Sequence, residues 1–542
     1  MEAWNYANLW ESVARAIPDR PALIHGDRVI AWGAFSARAD ALAAHFVASG
    51  LAQQSKVAAY LYNGPEFLET YFAAFKAGLV PFNTNYRYGD DELIYLFDNA
   101  DAEAVVFSAA FAEMAAKVRG RLPKVKTWIC VAEPGFTQPD WADDYDAIVA
   151  AKAPADFTAP WGRSADDLLF MYTGGTTGMP KGVMWRQEDL FKALGGGANL
   201  LLGLPPLETC AEAGARAAAS PDPQITIPVA PLMHATGQFI SFGSLVGGGT
   251  IATLTGRRFD PAALFDEVDR IKANGLVIVG PAFAAPMLET LEAHPGRWTL
   301  PSLRRIVSSG AMWGAENKNG LLKHLPHIML MDSLGSSEAL GLAGSTSGGG
   351  ATAGTAKFMA GPNAAVFTED GRRVEAGSGE RGLVAVGGHT PVGYYKDEEK
   401  SAKTFRTFEG RRWSVPGDWA TLETDGSITL LGRGSQVINT GGEKVFPEEV
   451  EEALKRFPGV RDAAVVGVPD PRFGERICAV VDCAPGVTPT LAELSAHVKA
   501  HLADYKAPRE LVLAPVGRAP NGKLDYKAIR TRALEALGQA AG

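Results

Sequence analysis

The chain of 542 residues has only four cysteines, Cys130, Cys210, Cys478 and Cys483, and no two stand in a CxxC spacing. That excludes a disulfide framework and offers no zinc motif, and it leads us to expect reduced, buried thiols in a cytoplasmic protein. Basic residues are also short: 52 Lys and Arg stand against 61 Asp and Glu, a net charge of -9. A dedicated nucleic-acid binder would need a basic stripe, so that class is set aside, whereas a small anionic ligand needs only a few local cations. The N-terminus opens Met1-Glu2-Ala3-Trp4, without the positive n-region of an export signal. The longest uncharged stretch, Pro223 to Gly256, is broken by Pro228, Pro231, Gln238 and several glycines. It reads as buried strands and turns, so no integral membrane segment is expected. No repeat and no Gly-x-Ser-x-Gly element occurs, which argues against solenoids and serine hydrolases. His497 and His501 lie four apart without a third ligand, which is too little for a metal.

What is present is a large apolar fraction, 46% of residues, with 21% charged, the balance of a globular chain long enough for several cores. Short aliphatic runs such as Ala104-Val105-Val106-Phe107, Gly275 to Val279 and Arg305-Ile306-Val307 alternate with longer helical patterns such as Pro261 to Ala273. That alternation predicts α/β layers. The run Gly344 to Thr352 reads as a mobile surface loop. From Arg381 onward the pattern turns β-rich, with a hairpin expected at Trp419-Ala420-Thr421-Leu422, Asp425-Gly426-Ser427 and Ile428 to Leu431. A helix signal at Pro447 to Leu454 and strands at Ala463 to Val468 and Ile477 to Val481 predict a separate α+β domain, with the boundary at Gly434.

The strongest chemical signal is an apolar strand, Leu168 to Tyr172, that opens into Thr173-Gly174-Gly175-Thr176-Thr177-Gly178-Met179-Pro180-Lys181. Such a loop can turn consecutive amides, three hydroxyls and one cation toward a polyphosphate. A P-loop would need Gly-Lys-Ser/Thr opening a helix, and here Lys181 lies between Pro180 and Gly182.

This loop resembles the phosphate loop of the adenylate-forming superfamily of acyl-CoA synthetases, adenylation domains and luciferases. Further elements follow in order: Pro231 to Gly237 around His234, Ser308-Ser309-Gly310-Ala311, Asp332 to Glu338, Gly417-Asp418, Gly432-Arg433, Thr440 to Pro447, and Pro520-Asn521-Gly522-Lys523. The resemblance implies an α/β fold with a β-rich part, made of a large N-terminal domain (1–433) and a small mobile C-terminal domain (434–542). It implies an ATP-dependent acyl-CoA synthetase that joins a carboxylic acid to CoA through an acyl-adenylate. The alternatives are a ligase loading a separate carrier protein and an inactive ATP-binding protein, and a carrier fused downstream is not expected.

By resemblance, the catalytic residues are Lys523, Glu338 and His234, with Glu338 holding Mg²⁺, an ion that suits one or two carboxylates plus phosphate oxygens. ATP would be bound by Thr173, Gly174, Gly175, Thr176, Thr177, Gly178, Lys181, Gly310, Ala311, Asp332, Ser333, Leu334, Gly335, Ser336, Ser337, Asp418 and Arg433. Leu334 stands where the family usually has tyrosine, and Ser435 where its hinge usually has Asp or Lys. CoA would pass Gly441, Gly442, Glu443 and Lys444. The acyl pocket is assigned to Gly237, Phe239, Gly243, Phe283, Ala284 and Met312, with Ala282 and Ala285 beside them. Small and apolar residues there, with no carboxylate placed for an α-amino group, point to a medium- or long-chain fatty acid or a bulky apolar acid. The expected partners are that acid, ATP and CoA, and a homodimer is left open.

Overall fold

The computed structural model describes all residues except 1–2, 176–177, 199–203, 223, 312, 349–356, 441–442, 471–473, 519–522 and 540–542. Among the described residues the strands form three sheets, of eight, fifteen and five strands. In the eight-stranded sheet the strands Lys56–Tyr60, Val80–Asn83, Ala102–Ser108 and Thr127–Val131 run parallel and are almost wholly buried. The hairpin Leu168–Gly175 and Gly178–Arg186 joins this sheet beside Val80–Asn83. In the fifteen-stranded sheet the strands Ile225–Pro228, Gly275–Ile278, Arg305–Ser309 and Met329–Ser336 are parallel neighbours. It then turns antiparallel through Ala339–Ser347 into the β-rich part, which includes the expected hairpin, Asp418–Leu422 against Ser427–Arg433.

The third sheet is built from Ile438–Thr440, Glu443–Val445, Val460–Asp470, Gly474–Cys483 and Glu510–Leu513. The helices Pro447–Lys455, Leu491–His501 and Tyr526–Ala536 accompany it, and two apolar clusters of its own fill it. The whole is a mixed α/β chain with a large N-terminal and a small C-terminal domain.

Two expectations are corrected. The stretch from Pro223 to Gly256 is not only strands and turns, because Ala235–Val246 is a helix of 12 residues. Its Gly237 hid it: a Cβ there would lie 2.6 Å from the carbonyl oxygens of Ala230 and Pro231, so a poor helix former is required by close packing. No described helix is long and apolar enough to cross a membrane. Secondly, Gly344 to Ser347 belong to the strand Ala339–Ser347, paired with Met329–Ser336, and are not surface loop. Tertiary pairing there overrides a composition that reads as loop, and residues 349–352 lie outside the described residues.

Aromatic packing fixes the helix Ala235–Val246 from behind. Trp10 of the N-terminal helix Tyr6–Ala16 meets Phe72 and Phe242 edge-on, each at 5.3 Å between ring centroids. Such pairs contribute about 0.5–1.5 kcal/mol beyond the area they bury. The helix is thereby held over the large sheet, with a cavity between the two.

Candidate active site

The carboxyl ends of parallel strands in an open α/β sheet leave a crevice suited to ligands. Here the ends of Arg305–Ser309 and Met329–Ser336 carry Ser309, Gly310, Ala311 and the run Asp332 to Ser336 into one cleft. On one side Gly310, Ala311, Asp332, Ser333, Leu334, Gly335, Ser336, Asp418, Arg433 and Lys523 line a cavity of about 210 Å³. Gly310 has φ 91°, a conformation that favours glycine, and it lets the chain pass against the stem of Lys523. Arg433 Nε donates to Asp418 Oδ1 at 3.2 Å. Asp332 is buried and accepts from Lys318 Nζ at 3.0 Å. Burial raises its carboxyl pKa, and the lysine opposes that. Lys318, on the helix Ala315–His324, was not legible as a site residue in the sequence.

The segment Thr173 to Lys181 lies at the end of the hairpin Leu168–Gly175 and Gly178–Arg186. Thr173 faces Lys181 across it, and Thr176 and Thr177 lie outside the described residues. The Lys181 ammonium is held by Asp397, whose carboxyl it keeps below the usual range. Lys181 therefore stands beside the cleft, already paired, and does not line it. Ser337 and Glu338 follow the strand Met329–Ser336. Trp185 Nε1 donates to the Ser337 carbonyl at 2.9 Å, Ser414 Oγ to the Glu338 carbonyl at 2.6 Å, and the Tyr394 hydroxyl to Glu338 Oε1 at 2.9 Å. Tyr394 and Asp397 were missed. Their signal was the aromatic pair Tyr394-Tyr395 with an acid two residues on, after a Pro-Val-Gly turn.

Lys523 comes from the small domain, next to Leu524, which bridges to Arg518. Its described flanks are anchored: Arg518 donates through Nε and Nη2 to Asp462 at 2.8 and 2.9 Å, and the Tyr526 hydroxyl donates to Glu451 at 3.1 Å. The ammonium stays accessible from the cleft. Surrounding protein still lowers its pKa, Arg433 adds to this, and Glu338 and Asp418 oppose it. Lys523 lines both the 210 Å³ cavity and a second, of about 430 Å³, on the acid side. Where the two domains meet, Glu448 Oε1 accepts from the Arg433 amide at 3.4 Å. Burial, then Glu451, pushes its carboxyl up to about 8.

His234 lies in the wall of the acid-side cavity, at the start of the helix Ala235–Val246. Two asparagines fix the segment before it. Asn83 donates to the carbonyls of Tyr172 and Met233 at 2.8 and 2.7 Å, and Asn63 accepts from the Leu232 amide at 2.7 Å. Burial, with Lys523 and Arg87, lowers the His234 pKa to about 4, so the ring is neutral at pH 7. Among the described residues its Nε2 has no hydrogen-bond partner.

The acid-side cavity shares Leu194, Phe239, Ile240, Val307, Met331 and Thr346 with a third, of about 730 Å³, between the helix Ala235–Val246 and the sheet. Phe239 and Gly243 line this third cavity. Gly237 packs beneath, against backbone, Ala284 is wholly buried in the core, and Phe283 borders a separate cavity with Phe259. Met312, Gly441 and Gly442 lie outside the described residues, and Glu443 and Lys444 fall on the strand Glu443–Val445. Ser435 falls in the short turn Gly434–Gln436 between the domains.

Residues 10–395 match the model of the AMP-binding enzyme and residues 449–523 that of the AMP-binding enzyme C-terminal domain. The chain belongs to the AMP-binding enzyme family. Within this adenylate-forming superfamily it is an ATP-dependent acyl-CoA synthetase, with ATP and CoA as co-substrates. It is 41% identical to a medium/long-chain-fatty-acid-CoA/3-oxocholest-4-en-26-oate-CoA ligase of Mycolicibacterium smegmatis, over 97% of this chain and 96% of that protein. A 3-oxocholest-4-en-26-oate-CoA ligase of Rhodococcus rhodochrous is 40% identical over 97% and 95%. Among solved structures, ATP-bound MatB from Rhodopseudomonas palustris aligns with a TM-score of 0.79 at 25% identity, covering 97% of this chain and 99% of that one.

Proposed function

We propose that this synthetase activates a long-chain or bulky apolar carboxylic acid. The observation that carries the reading is the continuity of the cavity beside Lys523 and His234 with the 730 Å³ space behind it. Acetate or benzoate would leave that space mostly empty. Relatives named for medium- and long-chain fatty acids and for a steroid acid support the same reading.

A carboxylate is a poor electrophile. In the first step its oxygen attacks the α-phosphate of ATP and pyrophosphate leaves, giving an acyl-adenylate. Lys523 stabilises the charge that develops there, as a preorganised cation in a partly desolvated site. The neutral His234 ring leaves the arriving carboxylate without a competing counter-charge. The carboxylate of Glu338, which with Asp418 lies within electrostatic reach of Lys523 and Arg433, suits Mg²⁺ carried in with the phosphates. Magnesium would neutralise phosphate charge, and the rest of the phosphate side falls to the hairpin tip. Asp418 and Arg433 would take the ribose, and Asp332 the adenine side.

In the second step the CoA thiol displaces AMP. We place the domain boundary at Gly434, with rotation there withdrawing Lys523 and bringing the segment Gly441 to Lys444 to the acyl-adenylate. Four free cysteines fit a cytoplasmic setting. Pyrophosphate release with and without CoA, over acids from acetate to palmitate and a steroid acid, tests the proposal. Each buried methylene should add about 0.8 kcal/mol, so kcat/KM should climb with chain length until the cavity is full. Acetate, benzoate or an amino acid performing as well as octanoate would overturn it.

A further inference from the structure

The far end of the acyl cavity is not apolar. Arg305 begins the strand whose last residue, Ser309, borders the acid-side cavity, so four residues at about 3.3 Å each put it on the order of 13 Å from the reacting end. Its side chain runs over Gly275, where an added Cβ would lie 3.4 Å from Nε and 3.2 Å from Thr226 Oγ1. Arg305 Nη2 donates to Gln224 Oε1 at 2.7 Å, and Thr226 Oγ1 is 3.4 Å from Ser244 Oγ. All four side chains line the 730 Å³ cavity, together with apolar Leu276, Val277 and Met329.

Among the described residues no ion pair joins Arg305 to a carboxylate. Burial is the cause of its lowered pKa, and the same cavity is also lined by Arg216 and Asp222. A guanidinium has five N–H donors, and the bond to Gln224 uses one. A half-buried cation is costly unless something accepts from it. A strand-start brace could have been made by Gln224 and a neutral side chain, without placing a cation at the end of the space an acid would fill.

We infer that Arg305, with Gln224, Thr226 and Ser244, forms a polar terminus of the acyl cavity that binds an acceptor oxygen at the end of the acid remote from the reacting carboxyl. The inference rests on the proposed seat of the acid between the helix Ala235–Val246 and the sheet. The oxygen is a ketone or a second carboxylate, and both present lone pairs to the guanidinium. A site built to hydrogen-bond such a group discriminates strongly against an analogue that lacks it, because its donors are then left unsatisfied.

The test compares dodecanoate, the keto acid with its ketone next to the terminal methyl, and dodecanedioate, each also at two longer chain lengths, in the pyrophosphate-release assay with CoA. Wild type, Arg305→Met, Arg305→Lys and Gln224→Leu are assayed, with thermal midpoints recorded. The expected result is that Arg305→Met lowers kcat/KM for an oxygenated acid about tenfold or more, leaves the unsubstituted acid unchanged or better, and is partly rescued by Arg305→Lys. Loss confined to the keto acids identifies a ketone, and loss confined to the diacids a carboxylate. If Arg305→Met fails to fold, Gln224→Leu must show the same split in smaller measure. Equal changes for all three acids, or none, would overturn the inference and leave Arg305 as a brace. If wild type turns over none of these acids but does use acetate or benzoate, the apolar-acid reading itself falls, and the polar terminus with it.

Discussion

The two domains hold their halves of the site in different ways. The large domain sets its groups on strand ends and ties them to backbone: Asp332 to Ser336 complete a paired strand, Asn63 and Asn83 clamp the segment before His234, and Ser337 and Glu338 are fixed through their carbonyls by Trp185 and Ser414. The small domain brings Lys523 to the site between two anchored flanks, Arg518 held by Asp462 and Tyr526 by Glu451. The first half is preformed and holds whatever the domains do. On the proposed rotation the second is conditional on docking, through a seam where Glu448 meets the Arg433 amide. Damage to the large domain should therefore depress both half-reactions, and damage to the small domain should separate them.

The largest effect is expected from Lys523→Ala, which should cut pyrophosphate exchange by roughly 10²–10³, the scale for losing a preorganised electrostatic group. Asn83→Ala sharpens the contrast from the other side. It strips partners from the Tyr172 amide and from the carbonyls of Tyr172 and Met233, all buried, and should cost about 2–4 kcal/mol in chemical denaturation while lowering both half-reactions together. Separation of the half-reactions in that variant would break the comparison. Tyr394→Phe removes the hydroxyl on Glu338 Oε1, and a loss of roughly tenfold in kcat/KM for ATP is expected, without a change in the thermal midpoint. An unaltered ATP dependence would detach Tyr394 from the site.

The smallest effect is a pH dependence. Glu448 has an ordinary pKa of 4.5 and one of about 8 in the docked arrangement. The docked form thus binds the extra proton between those values, and docking weakens as pH rises through that window. The ratio of exchange to thioester formation should fall a few-fold between pH 6.5 and 8.5 in wild type and stay flat in Glu448→Gln. Parallel profiles in the two would remove Glu448 from the seam.

The order of motifs from Thr173 to Lys523 made the family and fold legible, and Gly310, Asp332 to Ser336, Asp418, Arg433 and Lys523 do meet in one cleft, because glycines, hydroxyls and charges at fixed offsets reflect backbone demands that local sequence carries. The acid side was less legible. Phe239 and Gly243 line the cavity, while Ala284, as small and apolar as they are, is core, and only the register of a helix over a sheet decides which face a residue presents. The helix itself was obscured by Gly237, whose reason is a close approach to the backbone carbonyls of Ala230 and Pro231, a packing demand that composition does not announce. Lys318, Asn83 and Tyr394 act through long-range partners, Asp332, Met233 and Glu338, which no local spacing announces.

The most direct measurement supplies synthetic acyl-adenylate to Lys523→Ala and follows thioester formation with CoA. If the lysine belongs to a conditional half that serves only the first step, thioester should form at a rate within about threefold of wild type while exchange falls by roughly 10²–10³. A thioester rate that falls as far as exchange does would contradict the division of the site between a preformed and a docking half.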